Sequence, residues 1–379
     1  MKPPSWCIFL RSLPVGGVAR QFTTLANYLS ASRRVAVVTM FSHQHDPLPT
    51  NELVERYSLY ADEDTNSTPA KMLVGASERL RRLCREQDFN VIYSARELAN
   101  WVAARAVLRE PERLLLWGHR VSHHQFSWKI KTILHLSRLV RSRVNCEISN
   151  SHRGLDAYRE LGLCQGQTLF LPNFIDSNLF QPNSGQRAVV RESWGLSDDT
   201  PIIAIVGRFA PMKNHAGFLR AAAIVAEAND QARFIMIGPN AQQAKSELAE
   251  QANSLGISER LMFLDQAPAK EMPGVLSAID ILCSSSSFGE GFSNVLAEAM
   301  ACGCQIVATD VGESAAIVGD HGVVTTPQDD KQLAEGLLRT LAIPRHEDID
   351  ARRQHVIDLC DPQKILEQLM ALERAFFQK

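Results

Sequence analysis

The sequence predicts an α/β protein made of two consecutive domains, each built around a doubly wound parallel sheet. First, 379 residues are too many for one ordinary domain and fit two domains of about 150–200 residues. Second, short apolar runs, many of them β-branched, alternate with helical patterns along the chain, as in parallel sheets covered by helices. Third, proline and glycine interrupt this alternation between residues 174 and 200.

The interruption divides the chain into two Rossmann-like domains, which we expect to face a cleft. The first domain is predicted to cover residues 1–177, and the second residues 178–361. Residues 362–379 read as an amphipathic helix. The pattern leaves open which domain this helix packs on, and a return to the first domain is one alternative.

Each strand is predicted from an apolar run that is too short to form a helix. In the first half these runs are Trp6–Leu10, Val35–Met40, Val91–Ser94, Leu114–Trp117, Glu147–Asn150 and Thr168–Leu171. In the second half they are Ile202–Val206, Phe234–Ile237, Leu261–Leu264, Ile281–Ser284, Gln305–Ala308 and Gly322–Thr325. Helices are predicted where apolar positions recur every three or four residues. They are expected at Val18–Leu29, Ala70–Gln87, Leu98–Leu108, Leu155–Leu161, Phe218–Glu227, Gln242–Leu255, Met272–Ala278, Asn294–Ala301, Asp330–Leu341 and Pro362–Phe377.

The composition is that of an ordinary globular protein, with 45% apolar and 22% charged residues. The eight cysteines are scattered without a Cys-x-x-Cys pair, which favours free thiols in a reducing compartment. Arg11 interrupts the apolar run at the start of the sequence, so we expect no signal peptide. No apolar stretch approaches the roughly 18 residues that cross a bilayer. The predicted location is therefore the cytoplasm, with the inner face of the cytoplasmic membrane as an alternative.

Charge is unevenly distributed along the chain. Residues 1–170 contain 23 Lys+Arg and 15 Asp+Glu, whereas the remaining residues contain 17 and 27. A basic half favours an anionic partner, such as a membrane surface or a phosphate-bearing acceptor, although ordinary scatter of surface charge explains it too. Basic and apolar residues interleave at 128–144, which fits either an interfacial membrane helix or a packed helix with a solvated basic face.

The most informative segment is CSSSSFGEGFSNVLAEAMACGCQIVATD at 283–310. It predicts a strand, a small-residue loop that ends near Gly291, and a helix from Asn294. The free N–H groups at the helix start form an anion site suited to a phosphate. Glu290 and Glu298 flank this site, and carboxylates bind paired sugar hydroxyls well. The alternative is that both glutamates are ordinary solvated acids.

Further candidate residues follow other predicted strands of the second half. Arg208 and Lys213, in GRFAPMKNH, lie in a loop after the first strand, where two cations could neutralise a diphosphate leaving group. Ordinary surface pairing is the alternative. The base and ribose of a nucleotide sugar would lie where the next two strands end. The candidate residues there are Gly238, Asn240, Leu264, Asp265 and Gln266.

The first half offers a glycine pair and a histidine. Gly16 and Gly17 lie between the first strand and first helix, where backbone amides could reach phosphates, although a simple tight turn is also possible. His119 ends a strand and could bind the transferred sugar; His123 and His124 compete for this role, and a structural role is a further alternative.

We expect no metal site. The acidic triplets Asp62-Glu63-Asp64 and Asp348-Ile349-Asp350 lie in polar, loop-like contexts and read as solvated acids.

The segment 290–298 resembles the Glu–seven residues–Glu signature of retaining glycosyltransferases of family 4, which have the GT-B fold. The resemblance covers nearly the whole chain. It departs mildly at Val311-Gly312-Glu313-Ser314, which stands for a Gly-Gly turn, and at Pro239-Asn240, which replaces a usual glycine.

The resemblance implies a role for each candidate residue. Glu290 would contact the transferred sugar and Glu298 the ribose, while main-chain groups at 264–266 would read the base. The distal phosphate would be held by Phe292, Ser293, Asn294 and Val295. The diphosphate clamp would consist of Arg208 and Lys213. The N-terminal glycine loop would contain Gly16 and Gly17, and the sugar-binding histidine would be His119.

The predicted function is that of a metal-independent, retaining, hexosyltransferase-type glycosyltransferase. The donor would be a nucleotide-diphospho-sugar with a preference for UDP, bound mainly by the second half. The acceptor, a saccharide or lipid-linked glycan in surface polysaccharide or lipopolysaccharide synthesis, would bind the first half. The alternative is a catalytically silent sugar-nucleotide-binding or scaffold protein on the same fold. A nicotinamide oxidoreductase is disfavoured because Gly-x-Gly-x-x-Gly is missing.

Overall fold

The chain folds into two compact units that each contain one parallel sheet. The computed structural model describes residues 3–13, 16–41, 50–60, 69–120, 128–164, 166–239 and 241–378. Unit 1 consists of Met1–Phe174 together with Asp361–Lys379, and unit 2 of Ile175–Cys360. The chain therefore leaves unit 1, builds the whole of unit 2, and returns to unit 1.

The sheet of unit 1 has seven strands in the order β3-β2-β1-β4-β5-β6-β7, and every pairing is parallel. These strands are β1 Trp6–Leu10, β2 Val35–Phe41, β3 Val54–Tyr60, β4 Val91–Ala95, β5 Leu114–His119, β6 Cys146–Ser149 and β7 Gln167–Phe170. The helices that cover it are α1 Gly17–Leu29, α2 Pro69–Glu86, α3 Glu97–Ala106, α4 Trp128–Val140 and α5 His152–Glu160.

The sheet of unit 2 has six parallel strands in the order β10-β9-β8-β11-β12-β13. These strands are β8 Ile202–Val206, β9 Arg233–Ile237, β10 Leu261–Leu264, β11 Ile281–Ser284, β12 Gln305–Thr309 and β13 Val323–Thr325. The helices between and around them are α6 Ser184–Ser193, α7 His215–Ala228, α8 Ala241–Ser254, α9 Met272–Ala278, α10 Asn294–Ala301, α11 Ser314–Val318, α12 Asp330–Leu341 and α13 Ile349–Leu359. The last helix of the chain is α14 Pro362–Phe377, which lies in unit 1.

Strand β1 shows why these sheets form. All of its residues are buried, and side chains that alternate along the strand enter different cores. Trp6, Ile8 and Leu10 pack in the core that includes α1 and α14, whereas Cys7 and Phe9 pack in the core that includes α2 and α3. A sheet with helices on both faces accounts for the continuous apolar runs in the sequence. The predicted fold class is confirmed.

The C-terminal helix α14 is fixed to unit 1 by a buried polar contact. Trp6 Nε1 donates a hydrogen bond of 2.6 Å to Glu373 Oε2, and Arg33 Nη2 binds Glu373 Oε1 at 2.7 Å. Ile365 and Leu369 pack into the same core as β1. A buried carboxylate needs such partners, because an unpaired charge in a core is costly.

Four elements differ from the sequence prediction, and the shortest of them is helix α11, which follows the turn at 311–313. Strand β3 lies at the edge of the unit 1 sheet and carries a polar face, so it lacks the apolar run that marks the other strands. Helix α6 occupies part of the stretch expected to be a connection, and the Asn183 side chain caps it. Helix α13 also departs from the prediction, because Asp350 and its neighbours look polar and loop-like in the sequence.

Helix α4 exposes Trp128 by 73% and Leu139 by 75%. The exposed Arg138, the half-buried Arg141 and the buried Arg143 all donate hydrogen bonds to backbone carbonyl oxygens. Much of the basic charge of the 128–144 segment thus binds backbone groups within unit 1. None of the helices in the described ranges combines the length and apolar character needed to cross a bilayer.

All eight cysteines are buried free thiols. Burial raises the pKa of Cys146 and of Cys304 to about 12, so these side chains stay protonated at neutral pH. They are structural, unreactive thiols by this criterion.

Candidate functional site

The candidate site of unit 2 lies where the direction of strand order reverses. Strands β8 and β11 are neighbours there, and the next strands on either side are β9 and β12. Loops 207–214 and 285–293 leave the carboxyl ends of β8 and β11. In open parallel sheets the crevice at such a reversal is the usual place for a ligand.

An ion pair joins these two loops. Lys213 Nζ lies 2.5 Å from Glu290 Oε1, and Ser286 Oγ donates to the same carboxylate at 3.0 Å. The exposed fraction of the side chain is 16% for Lys213 and 11% for Glu290. The structure thus brings together two residues that the sequence assigned to different groups of the donor, the diphosphate and the transferred sugar.

Hydrogen bonds to backbone carbonyl oxygens fix the two loops against each other. Ser285 Oγ donates to the carbonyl oxygen of Lys213 at 2.8 Å, and the Ser287 N–H donates to that of Met212 at 2.8 Å. Thr309 Oγ1, at the end of β12, donates to the carbonyl oxygen of Ser286 at 2.6 Å. These bonds hold the Lys213–Glu290 pair on a rigid frame.

Glycines let the turn after β12 pass directly beneath the Glu290 loop. A Cβ on Gly312, which has φ +61°, would lie 2.3 Å from the carbonyl oxygen of Gly291 and 2.4 Å from that of Glu290. The Glu313 N–H donates to the Gly291 oxygen at 3.0 Å. Gly289 also has a positive φ of 80°. Only glycine permits this close backbone approach at position 312.

Helix α10 begins directly after this loop. Its N-cap residue, Ser293, makes no capping hydrogen bond through its side chain. Phe292 and Ser293 are buried, whereas Asn294 and Val295 are half-buried. Glu298 is buried, with 7% exposure, on the second turn. The first-turn N–H groups and the helix dipole therefore offer an anion site next to Glu290.

The remaining cation of the predicted clamp is accessible. Arg208 is exposed, and within the described part of the chain it makes no hydrogen bond or ion pair. Gly207 and Gly238 pack so tightly that a Cβ on Gly238 would lie 2.1 Å from the Gly207 carbonyl oxygen. This contact draws the ends of β8 and β9 together, close to where Arg208 leaves the sheet.

The predicted base-binding segment follows β10. Leu264 is half-buried and its carbonyl oxygen accepts from the Gly238 N–H at 3.1 Å, which leaves Asp265 and Gln266 exposed beyond it. Asn240 lies outside the described residues.

His215, at the start of α7, is electrostatically coupled to the site. Burial lowers the pKa of His215 to about 4, and the positive charge of Lys213 acts in the same direction. Its ring stacks on Phe209 at 4.7 Å between centroids. A neutral imidazole next to Lys213 keeps a second full charge away from the Lys213–Glu290 pair.

In unit 1, His119 is buried with 2% exposure at the end of β5. Its Nε2 lies 2.9 Å from Glu147 Oε2, and its ring stacks on Tyr158 at 3.8 Å. The sugar contact predicted for this histidine stays a prediction. The competing residues His123 and His124 lie outside the described ranges.

Gly16 and Gly17 are exposed at the start of α1. Gly16 is the N-cap residue of that helix, so the first-turn N–H groups have no side-chain cap. This position is compatible with an anion, as predicted from the sequence.

Within the described ranges, one group of side chains has metal-ligand spacing: His119, Glu147 and Cys164. Of the acidic triplets, Asp62-Glu63-Asp64 lies outside the described residues. The loop-like context expected for the other triplet is wrong in part, because Asp350 lies in the first turn of α13. Asp348 Oδ2 pairs with His321 Nδ1 at 3.0 Å.

Sequence reasoning missed several residues that shape the site. Ser286 and Thr309 carry no distinctive signal, since they lie in a serine run and at an ordinary strand end. Gly312 could have been recognised as a site residue from the sequence, because it is the glycine of the segment 311–314 that stands for the Gly-Gly turn of the family. Glu147 gave no signal at all within its short strand.

Two family models match the chain in succession. "Glycosyltransferase Family 4" matches residues 15–179, and "Glycosyl transferases group 1" matches residues 186–355. Together they span both units.

Curated relatives include D-inositol 3-phosphate glycosyltransferase of Mycobacterium ulcerans, 34% identical over 44% of this chain and 36% of that protein. The enzyme of the same name from Nocardia farcinica is 35% identical over 40% of this chain and 34% of that protein. The similarity thus spans only about a third of these relatives' length.

Solved structures share the fold along nearly the whole chain. Anabaena Alr3699/HepE in complex with UDP has a TM-score of 0.80 and 21% identity, with 98% of this chain and 100% of that chain covered. Sucrose-phosphate synthase from Thermosynechococcus elongatus has a TM-score of 0.81 and 21% identity, with 99% of both chains covered. The chain therefore belongs to the glycosyltransferases of the GT-B fold, with a family 4 domain followed by a group 1 domain.

Proposed function

We propose that this protein transfers a sugar from a nucleotide-diphospho-sugar to a hydroxyl group of a saccharide or lipid-linked glycan. The observation that carries the proposal is the Lys213–Glu290 ion pair at the strand reversal of unit 2, beside the amino terminus of α10, where the Ser293 side chain makes no capping hydrogen bond. A cation, a carboxylate and a phosphate-binding helix terminus in one place suit a sugar diphosphate.

The donor would lie along the carboxyl edge of the unit 2 sheet. The first-turn amides of α10 would hold the distal phosphate, with Phe292 to Val295 as its neighbours, and Glu298 would bind the ribose hydroxyls. The base would rest against Leu264 to Gln266. We favour uridine, since the structurally similar Alr3699/HepE was crystallised with UDP and with UDP-glucose.

Donor binding would exchange the partners of the Lys213–Glu290 pair. The diphosphate carries more negative charge than one carboxylate, so it would draw the Lys213 ammonium away from Glu290. Glu290 would then accept hydrogen bonds from hydroxyls of the sugar, and Arg208 would supply a second cation. Both cations stabilise the charge that grows on the leaving diphosphate.

The chemical step we propose retains the anomeric configuration. The bond between the anomeric carbon and the diphosphate oxygen breaks while the acceptor oxygen attacks from the same face. The acceptor proton passes to the departing phosphate, so Glu290 stays a hydrogen-bonding group rather than a nucleophile. No divalent metal is needed in this scheme, because Arg208 and Lys213 neutralise the leaving group.

Unit 1 would supply the acceptor site and two contacts to the donor. His119 would hydrogen-bond the transferred sugar, and the amides near Gly16 and Gly17 would approach the phosphates. A lipid-linked acceptor at a membrane fits the excess of basic residues in the first half and the exposed Trp128 and Leu139 on α4.

A thermal-shift screen with UDP-, GDP- and ADP-sugars, with and without a chelator, tests the donor. A ligand at about 100 times its Kd should add roughly 2.7 kcal/mol of stability. Donor hydrolysis is then compared between wild type and Glu290→Ala. Equal and negligible turnover in both, despite donor binding, would indicate a silent sugar-nucleotide-binding protein.

The stereochemical proposal needs its own measurement. Proton NMR of the product reports whether the new glycosidic bond has the anomeric configuration of the donor. Inversion, or a covalent glycosyl adduct trapped on Glu290, would contradict front-face attack.

A further inference from the structure

The buried surroundings of His119 form a hydrogen-bonded network around one carboxylate. His119 Nε2 and Cys164 Sγ both lie 2.9 Å from Glu147 Oε2. The exposed fraction of the side chain is 3% for His119 and 3% for Glu147. Two groups that can each donate a proton thus converge on a single carboxylate oxygen.

We infer that Glu147 is a positioning residue that holds His119 in the tautomer with the proton on Nε2 and with Nδ1 as a hydrogen-bond acceptor. The inference rests on the proposed contact of His119 with the transferred sugar. Glu147 Oε2 accepts the hydrogen bond of the Cys164 thiol, and Nε2 donates to the same acceptor oxygen. A sugar hydroxyl can donate a hydrogen bond, and His119 Nδ1 would accept it.

The thiol of Cys164 supports this assignment of donors. Burial, together with the negative charge of Glu147, raises the pKa of Cys164 well above its usual value. The side chain therefore keeps its proton and donates it to Glu147 Oε2. With both donors in place, Glu147 Oε2 accepts two hydrogen bonds, which satisfies this buried oxygen.

The free nitrogen of the ring points to the same tautomer. His119 Nδ1 is buried and has no hydrogen-bond partner among the described residues. If Nδ1 carried the proton, the core would contain a donor without an acceptor, while Nε2 would face an acceptor without a proton. In the Nε2–H tautomer neither mismatch occurs, and only the lone pair of Nδ1 has no partner among the described residues.

The plane of the imidazole is fixed as well. Tyr158 stacks on His119 with an interplanar angle of 27°, and the Tyr158 hydroxyl donates to Glu97 Oε1 at 2.5 Å. Stacking limits ring rotation, so the direction of the Nδ1 lone pair is set by Tyr158 and Glu147 together.

The same three side chains have the composition of a zinc site, but their spacing favours hydrogen bonds. Ligand atoms about 2.0–2.3 Å from a tetrahedral zinc ion lie about 3.3 Å or more from each other. The distances from Glu147 Oε2 to His119 and to Cys164 are both 2.9 Å. A metal ion is therefore an outcome that the experiment must be able to detect.

Long-range proton–nitrogen NMR of the full chain, labelled with 15N in histidine, measures the tautomer directly. A His119→Asn variant assigns the signal. We expect the protonated-nitrogen shift at Nε2 and the unprotonated shift at Nδ1. The reverse pattern, or one zinc ion per chain retained after chelation, would overturn the inference. This measurement needs no nucleotide sugar, and its result holds even if glycosyl transfer is never observed.

Glu147→Gln provides the functional test. The amide can donate to Nε2 as well as accept from it, so the variant should populate both tautomers and lose about tenfold in kcat/KM, with KM for the acceptor unchanged. Glu110→Gln is the matched control, because Glu110 is also buried in unit 1 but pairs with Arg85 and Arg113. Equal losses of activity in the two variants would mean that Glu147 acts only through stability.

Discussion

Two glutamates, one in each unit, have similar partners but different surroundings. Glu147 binds His119 and Cys164 within the unit 1 sheet, and Glu290 binds Lys213 and Ser286 in a loop of unit 2. Each is a carboxylate bound by one nitrogen group and by one thiol or hydroxyl donor. The exposed side-chain fractions are 3% and 3% in the first pair but 11% and 16% in the second.

The difference in exposure separates two uses of the same chemistry. A buried pair is costly to break, because each partner would be left unsatisfied away from water. The Lys213–Glu290 pair has more contact with solvent, so it can exchange a partner for a ligand at a smaller cost. The structure of unit 1 therefore suits positioning, and that of unit 2 suits an exchange on donor binding.

The largest expected effect tests the exchange in unit 2. Lys213→Ala should lower kcat/KM for glycosyl transfer by about 100-fold, because the cation proposed to stabilise the leaving diphosphate is lost. Steady-state kinetics with the best donor of the thermal-shift screen measures it. Lys331→Ala, which removes an exposed lysine on α12, is the control and should stay within about twofold of wild type. A similar loss of kcat/KM in both variants would mean that Lys213 has no specific role in the reaction.

The next effect concerns the frame beneath Glu290. Gly312→Ala should lower the free energy of unfolding by about 3 kcal/mol, because the new methyl group meets two carbonyl oxygens and the backbone has a positive φ. Gly195→Ala separates these causes, since Gly195 has φ +69° but a methyl group there would meet no atom within 4 Å. It should cost about 1 kcal/mol. Equal losses in urea unfolding would mean that the close approach at Gly312 is unimportant.

A smaller effect follows from His215. Its pKa is about 4 in the folded protein, against an ordinary value of 6.5, so between these values the unfolded state binds a proton that the folded state does not. Stability should therefore fall as pH drops below 6.5, by about 2 kcal/mol between pH 7 and pH 5. Urea unfolding at both pH values, compared with His215→Gln, isolates this contribution. An unchanged pH dependence in the variant would contradict a buried neutral His215.

The smallest effect concerns the surface of α4. Leu139→Ser should weaken binding to vesicles with anionic lipid by about 1 kcal/mol or less, since one exposed apolar side chain is lost. Leu53→Ser is the matched control, with Leu53 67% exposed elsewhere in unit 1. Vesicle co-sedimentation that shows no binding of wild type, or equal losses in both variants, would argue against a membrane contact through α4.

The sequence predicts most of the fold because short buried strands have little freedom in their composition. β1 and β8 are apolar throughout, since both of their faces are covered by helices. Strand β3 escapes the same reasoning because an edge strand needs only part of its surface to be apolar.

The candidate site divides in a similar way. Arg208, Lys213 and Glu290 can be placed from the sequence, because they follow strands whose carboxyl ends meet at one edge of the sheet. The pairing of Lys213 with Glu290 cannot, since the two are 77 positions apart and only the neighbouring positions of β8 and β11 bring them together. The contacts of His119 and Cys164 with Glu147 also depend on how distant parts of the chain pack, so the sequence alone does not predict them.

Helix α14 has a consequence for folding during synthesis. Trp6 and its partner Glu373 are 367 positions apart, so the ribosome must synthesise all the residues between them before this contact can form. Residues 175–360 are continuous and can fold as soon as they emerge. The second unit can thus mature while the first still lacks its last helix, which reverses the usual order in which domains are completed along a nascent chain.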